Sequence, residues 1–244
     1  MGHEADPLLG RIIEARGQIR ACEGATLYSE LSAVARTYRL FSANERELRE
    51  YFAGLADTQA LLDLWDSNHR ERFDAHLDEI DRLLHNYLAA AGSLRDHSRR
   101  LWQQHPPQDA SLSAEHDRRI KKTFAESPVA SFVQKLRDVT VHAQLPLIHG
   151  TISWSADEGT LTSTTVLNKR ALIEWDGWNA RALRFLDESD DEIDLLEVIG
   201  AYTAAVHNFN EWLGRSFVEG HLTAFDELYA LQAKYATLLP LGPE

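Results

Sequence analysis

The sequence predicts an all-α fold, a helical bundle with one inserted β-hairpin. Three observations predict it. Apolar residues recur at spacings of three and four along most of the 244 residues. One segment, residues 127–146, carries helix-start and helix-stop signals at its own two ends. A single β-branched, alternating run at 151–166 interrupts the helical pattern.

The first helix spans residues 8–21, with Leu8, Leu9, Ile12, Ile13 and Ile19 apolar. Residues 27–41 are ambiguous by pattern, and Leu27, Leu31, Val34, Ala35 and Tyr38 favour helix. Asn44 reads as the N-cap of a short helix ending at Phe52, with Glu47 completing a capping box. Asp57 reads as the cap of a stretch from Leu61 to Trp65. Residues 68–103 form one long helix, with Phe73, Leu77, Ile80, Leu84, Tyr87 and Leu94 at helical spacing. Pro106 and Pro107 end it. Ser113 through Ala125 make a shorter basic helix containing Arg118, Arg119, Lys121 and Lys122.

The segment 127–146 comes next. Ser127 suits the cap, and Pro128 the first helical position, where no N–H is needed. Pro146 stops the run. Val129, Phe132, Val133, Leu136, Thr140 and Ala143 form an apolar stripe; Arg137, Asp138 and His142 fall outside it. At about 100° per residue, Arg137 and His142 lie roughly 140° apart, with Asp138 between them. Val141 shares that polar face. A valine there predicts a covered face, and a second subunit is the expected cover.

Two β-branched runs, 151–155 and 160–166, flank Asp157-Glu158-Gly159 and predict the hairpin. Helical segments resume at 169–174 and 178–186. Ser189 reads as a cap before an acidic first turn, Asp190-Asp191-Glu192, of a helix over 191–216. Residues 221–238 close the bundle. With no repeat or low-complexity linker, 1–244 reads as one domain: N-terminal helices 1–56, a core bundle over about 60–238, and the hairpin 151–166.

Composition bounds the function. Hydrophobic content of 44% and charged content of 26% fit a globular protein. No run is apolar enough to span a bilayer, and the N-terminus lacks a signal peptide's basic and apolar regions, so no membrane association is expected. The single cysteine, Cys22, excludes an internal disulfide, fits a reducing cytoplasm and reads as a packed residue. A net charge of −13 disfavours a broad grip on nucleic acid, while leaving room for a small cleft with local arginines. Glycine-rich nucleotide loops, G-x-S-x-G and HExxH are absent, and no cofactor is implied.

The candidate catalytic residues are Arg137, His142 and Asp138. Histidine can transfer a proton near neutral pH. Arginine can hold a phosphate by two parallel hydrogen bonds and stabilise developing charge. Asp138, one turn before His142, could orient its ring. A second polar run gives candidate substrate-binding residues: Asn86, Arg95, His97 and Arg99, with Asp96 and Arg100 spaced for an i,i+4 pair. The alternative reading makes both groups solvated faces, with His142 favoured by the helix C-terminal dipole. His207 reads as a hydrogen-bonded core or interface histidine. Trp175 and Trp178 read as packing anchors. Asp66, His69, His76, Asp81 and His85 lie along one helical region, but no recurring Glu-x-x-His pair supports a metal centre.

Arg137-Asp138-x-x-x-His142 resembles the R-x(4–6)-H motif of the HEPN superfamily. The stretch from Leu136 to Pro146 is similar to a HEPN-like family of uncharacterised bacterial proteins. His85-Asn86-Tyr87 and Ser93-Leu94-Arg95-Asp96-His97 resemble an upstream helix of the same proteins. The resemblance covers about residues 60–235 in layout, and its specificity rests on the one short motif. It implies a HEPN-like bundle acting as a metal-independent endoribonuclease, with motif residues from two copies meeting in a homodimer. It also implies a toxin or phage-defence setting, with RNA as substrate and an antitoxin or other protein as partner. A non-catalytic interaction or scaffold module, using the same face for dimerisation, is the alternative; a metal-binding bundle is the third.

Overall fold

The computed structural model describes residues 7–54, 70–142, 148–155 and 160–239, with the backbone alone at 141–142, 148–155 and 160–165. After α1 (Pro7–Ala21), two long helices form the spine: α2 (Glu23–Gly54) and α3 (Arg70–Gln104). Leu27, Val34, Phe41 and Leu48 recur every seven residues on α2, and all are buried. Ile80, Tyr87, Leu94 and Leu101 repeat that spacing on α3 and are buried too. A seven-residue apolar repeat holds two helices face to face over many turns. Cross-links run antiparallel along the pair. Thr37 Oγ1 lies 2.8 Å from His97 Nδ1, Phe41 packs on Tyr87, Arg82 donates to Glu47 at 2.9 Å, and the Tyr51 hydroxyl lies 2.8 Å from His76 Nδ1.

This repeat corrects the reading of Asn44 as a cap. The α2 helix runs unbroken through that position, and Asn44 Nδ2 donates back to Leu40 O one turn earlier. Burial of the 41/48 stripe outweighs the weak local preference of asparagine for a helix start. The second half of the expected capping box, Glu47, is turned to Arg82 of α3 instead. The segment at 57–65 lies outside the described residues.

The α4 helix (Ala110–Ile120) starts at Asp109, whose side chain accepts from Ser111 N at 2.8 Å. It runs into one π turn, Lys121–Ala125, closed by Glu126 N donating to Lys121 O at 2.8 Å. The α5 helix (Pro128–His142) begins as expected: Ser127 Oγ accepts from Ala130 N at 3.2 Å. Phe132, Val133 and Leu136 of the expected stripe are buried. Val139 takes the place expected for Thr140, whose hydroxyl bonds to Arg137 O. Ala143 and Pro146 lie outside the described residues.

The hairpin is present, with longer strands than expected. Strand β1 (Ile148–Ser155) pairs antiparallel with β2 (Thr160–Asn168), from Ile148↔Leu167 to Ser155↔Thr160. After α6 (Lys169–Ile173) and α7 (Ala180–Glu188), a third strand, β3 (Glu192–Asp194), pairs with the end of β2. This overturns the helix start expected at 191. Ile193 is buried between exposed Glu192 and Asp194, the alternation of a half-buried strand. Asp194 then caps α8 (Leu195–Gly220), accepting from Glu197 N at 3.0 Å. The bundle closes with α9 (Leu222–Ala236). Gly24 admits it: a Cβ at that position would lie 2.1 Å from Ala224 O, so α2 and α9 cross there only with a glycine.

One carboxyl works against this fold. Burial on α3, together with Asp78 beside it, pushes Asp81 up to about 6. A folded pKa above the ordinary value means that ionisation opposes folding. The stability is fully present below the ordinary value of about 3.9 and is lost as pH rises through about 6. Asp81→Asn is expected to raise the melting temperature near pH 7.5 and to match wild type near pH 3.5. Equal melting at the higher pH would mean that ionised Asp81 is already well solvated.

Candidate functional site

Helices α3, α4, α5 and α8 enclose a cleft of about 530 Å³. The α3 wall arises from spacing. Ala91, Arg95, Ser98, Arg99 and Trp102 fall at intervals of three and four on one face, beside the stripe that packs on α2. Tyr202, Val206, Phe209 and Asn210 give the matching face of α8. His116, Asp117 and Ile120 come from α4, Phe124 and Ala125 from the π turn, and Gln134 from α5.

Ring packing fixes the walls. Trp102 and His116 stack at 4.3 Å with planes 6° apart. Phe124 meets Phe209 edge-on at 5.1 Å, and the Arg119 guanidinium lies 4.9 Å from the Trp212 ring centre. Burial pushes the His116 pKa down against the opposing pull of Asp117, so the ring is neutral at pH 7. Burial also pushes the Tyr202 hydroxyl up to about 12, although nearby Arg95 pulls the other way. Arg118 and Arg119 do not present the free basic face expected of α4. Both reach back to Glu115 at 2.6 Å and hold that carboxyl down at about 2.

At one end the cleft continues into a notch of about 10 Å³ between α3, α5 and α8. Arg137 lines it with Gln134, Val133, Gly92, Arg95 and Tyr202. The Arg137 side chain lies across Gly92, where a Cβ would stand 3.0 Å from its Nε. Part of this face, at Gln134 and Arg137, lies against α3 of the same chain, and the side chain of Val141 lies outside the described residues. Among the described residues no carboxylate pairs with Arg137 or Arg99, whereas Arg95 is held by Asp96 at 3.0 Å.

The expected site residues are thus divided. Arg95, Arg99 and Arg137 come together around the cleft and its notch. Asp138 turns to Lys135 Nζ at 3.0 Å, on the side of α5 facing Trp175. His97 points to Thr37 on the opposite side of α3. Asn86 is half-buried and lines neither cavity. His142 is the last residue of α5, and its side chain lies outside the described set. The expected Asp96–Arg100 pair is absent: Asp96 takes Arg95, and Arg100 donates to Gln104. His207 is hydrogen-bonded, between the Tyr38 hydroxyl and Glu211, but it is exposed and not a core residue. The cleft aromatics escaped the sequence reading. The one signal for them was the Arg95–Arg99–Trp102 stripe, which repeats at three and four.

No protein-family model, curated protein or solved structure matches the chain. Fold and site define a mostly helical protein with an arginine-rimmed aromatic cleft. No helix among the described residues is long and apolar enough to cross a membrane, and none of their acidic, histidine or cysteine side chains form a metal-binding group.

Gly92 offers a clean probe of the notch. Alanine there gains up to about 1 kcal/mol of helix propensity. Its methyl meets only the end of a flexible arginine, which can move at little cost. Gly92→Ala is expected to melt at or slightly above the wild-type temperature while displacing the Arg137 side chain from the notch. A variant that melts well below wild type would show that the side chain is locked in place.

Proposed function

We propose that the chain recognises a phosphodiester through Arg137 and Arg95 and cleaves RNA without a metal, His142 transferring the proton. The observation that carries this reading is the notch. Two arginines from two helices, one of them without a carboxylate partner among the described residues, border the same space. Arg137 would bind a non-bridging oxygen and stabilise the charge that builds on phosphorus. The nucleophile is the RNA's own 2′-hydroxyl, so no metal-bound water is needed. His142, five residues further along α5, would take or deliver the proton. Asp138 has no part in this version, since Lys135 engages it.

The test is incubation of the purified chain with diverse RNAs in EDTA. Cleavage leaving 2′,3′-cyclic phosphate ends supports the reading; intact RNAs overturn it. A composite site built from two copies further requires a dimer, which light scattering reads directly.

The second reading is a non-catalytic interaction module. The pairs Lys135–Asp138 and Thr37–His97 favour it, because two of the expected polar residues serve helix-to-helix or within-helix ties.

A further inference from the structure

The large cleft is not explained by phosphodiester chemistry. A volume of about 530 Å³ lies within the range of about 300–1,000 Å³ common for small-molecule sites. Its exposed lining is mainly apolar and aromatic, although about half of the lining residues carry polar side chains. The ring faces are fixed by mutual packing: Trp102 on His116, Phe124 on Phe209, and Phe209 on Trp212 at 5.9 Å. The π turn is an independent mark. Such turns gather at functional sites because they displace side chains from the regular helical pattern. This one contributes Phe124 and Ala125 to the wall.

Charge selects the rest of the ligand. Arg99 lines the cleft with no carboxylate partner among the described residues, Arg95 is held by Asp96, and Asp117 faces the same space. His116 is neutral at pH 7. These charges sum to about zero, and Arg99 is the one lining cation without a carboxylate partner among the described residues. A single carboxylate matches that one free guanidinium, and a dianion would leave a charge uncompensated. Arginine's planar fork fits a carboxylate with two parallel hydrogen bonds. We propose that the cleft binds a small flat aromatic carboxylate, its rings between the aromatic walls and its carboxylate on Arg99. This site does not depend on RNA cleavage.

The probe is 2-naphthoate, titrated into the full chain in the absence of RNA and followed by calorimetry and tryptophan fluorescence. Saturable binding of one molecule per chain is expected. Arg99→Gln should weaken it on the order of 10- to 100-fold, the usual loss of a charge-assisted bond. The neutral isostere 2-naphthamide should bind more weakly to wild type and equally to both proteins. Phe124→Ala, at a partly exposed wall position, should also weaken 2-naphthoate, with circular dichroism confirming an intact fold. No saturable binding up to about 1 mM, or equal affinity in Arg99→Gln, overturns the proposal. Tighter binding of decanoate or a mononucleotide than of 2-naphthoate overturns the ligand class.

Discussion

On the proposed ribonuclease reading, the Arg137→Ala protein is expected to cleave RNA two to three decades more slowly than wild type. That is the usual loss when one preorganised donor to a developing oxyanion is removed. The side chain is half-buried across Gly92, carries no ion pair among the described residues, and lies beside the core stripe rather than in it. Melting should therefore change little, and the loss should fall on the chemistry. Arg137→Lys restores the charge without the fork, and should recover only part of the rate. His142→Ala should lose about two to four decades, as expected for a proton-transfer group. Cleavage by Arg137→Ala at the wild-type rate would remove the notch from the mechanism and leave the interaction module.

Phe132→Ala is expected to produce the largest stability loss, about 3–5 kcal/mol. Phe132 is fully buried, stacking on Trp178 at 5.3 Å and Phe185 at 4.5 Å. Beside it the buried Ser131 hydroxyl donates to Asn179 Oδ1 at 2.8 Å, the same oxygen that caps α7. The ring thus fastens α5, and with it Arg137, to the α6–α7 corner. For a chain of this size the loss is a fall of about 6–20 °C in melting temperature. Phe132→Leu keeps most of the volume and should cost less than about 1.5 kcal/mol. A drop of under 2 °C for the alanine variant would show that the three rings do not pack as one unit.

Local signals were legible where local physics decides. Ser127 and Pro128 started α5 as read, and the alternating runs around Asp157–Gly159 marked the hairpin. The misreadings share one cause. Asn44 has a cap's chemistry, but the 27/34/41/48 stripe made its helix continuous through contact with α3. Asp190–Glu192 has the chemistry of an acidic first turn, but Glu192–Asp194 found a free edge on β2. In both cases a distant partner outweighed a local preference of about 0.5–2 kcal/mol. The arginines of the site were legible because their charge is unusual on a packed helix. Trp102, Phe124 and Phe209 were not, since a ring facing a cleft and a ring facing a core have the same spacing.

A π turn holds one residue more than regular α-helix would place in the same length. At 121–125 that surplus residue sets the phase of the chain leading into the cleft wall. Deleting one residue there would restore the regular bonding pattern and change which side chain stands at the wall position. Phe124 would leave its contact with Phe209. The cleft wall therefore depends on the register of a single residue at the π turn.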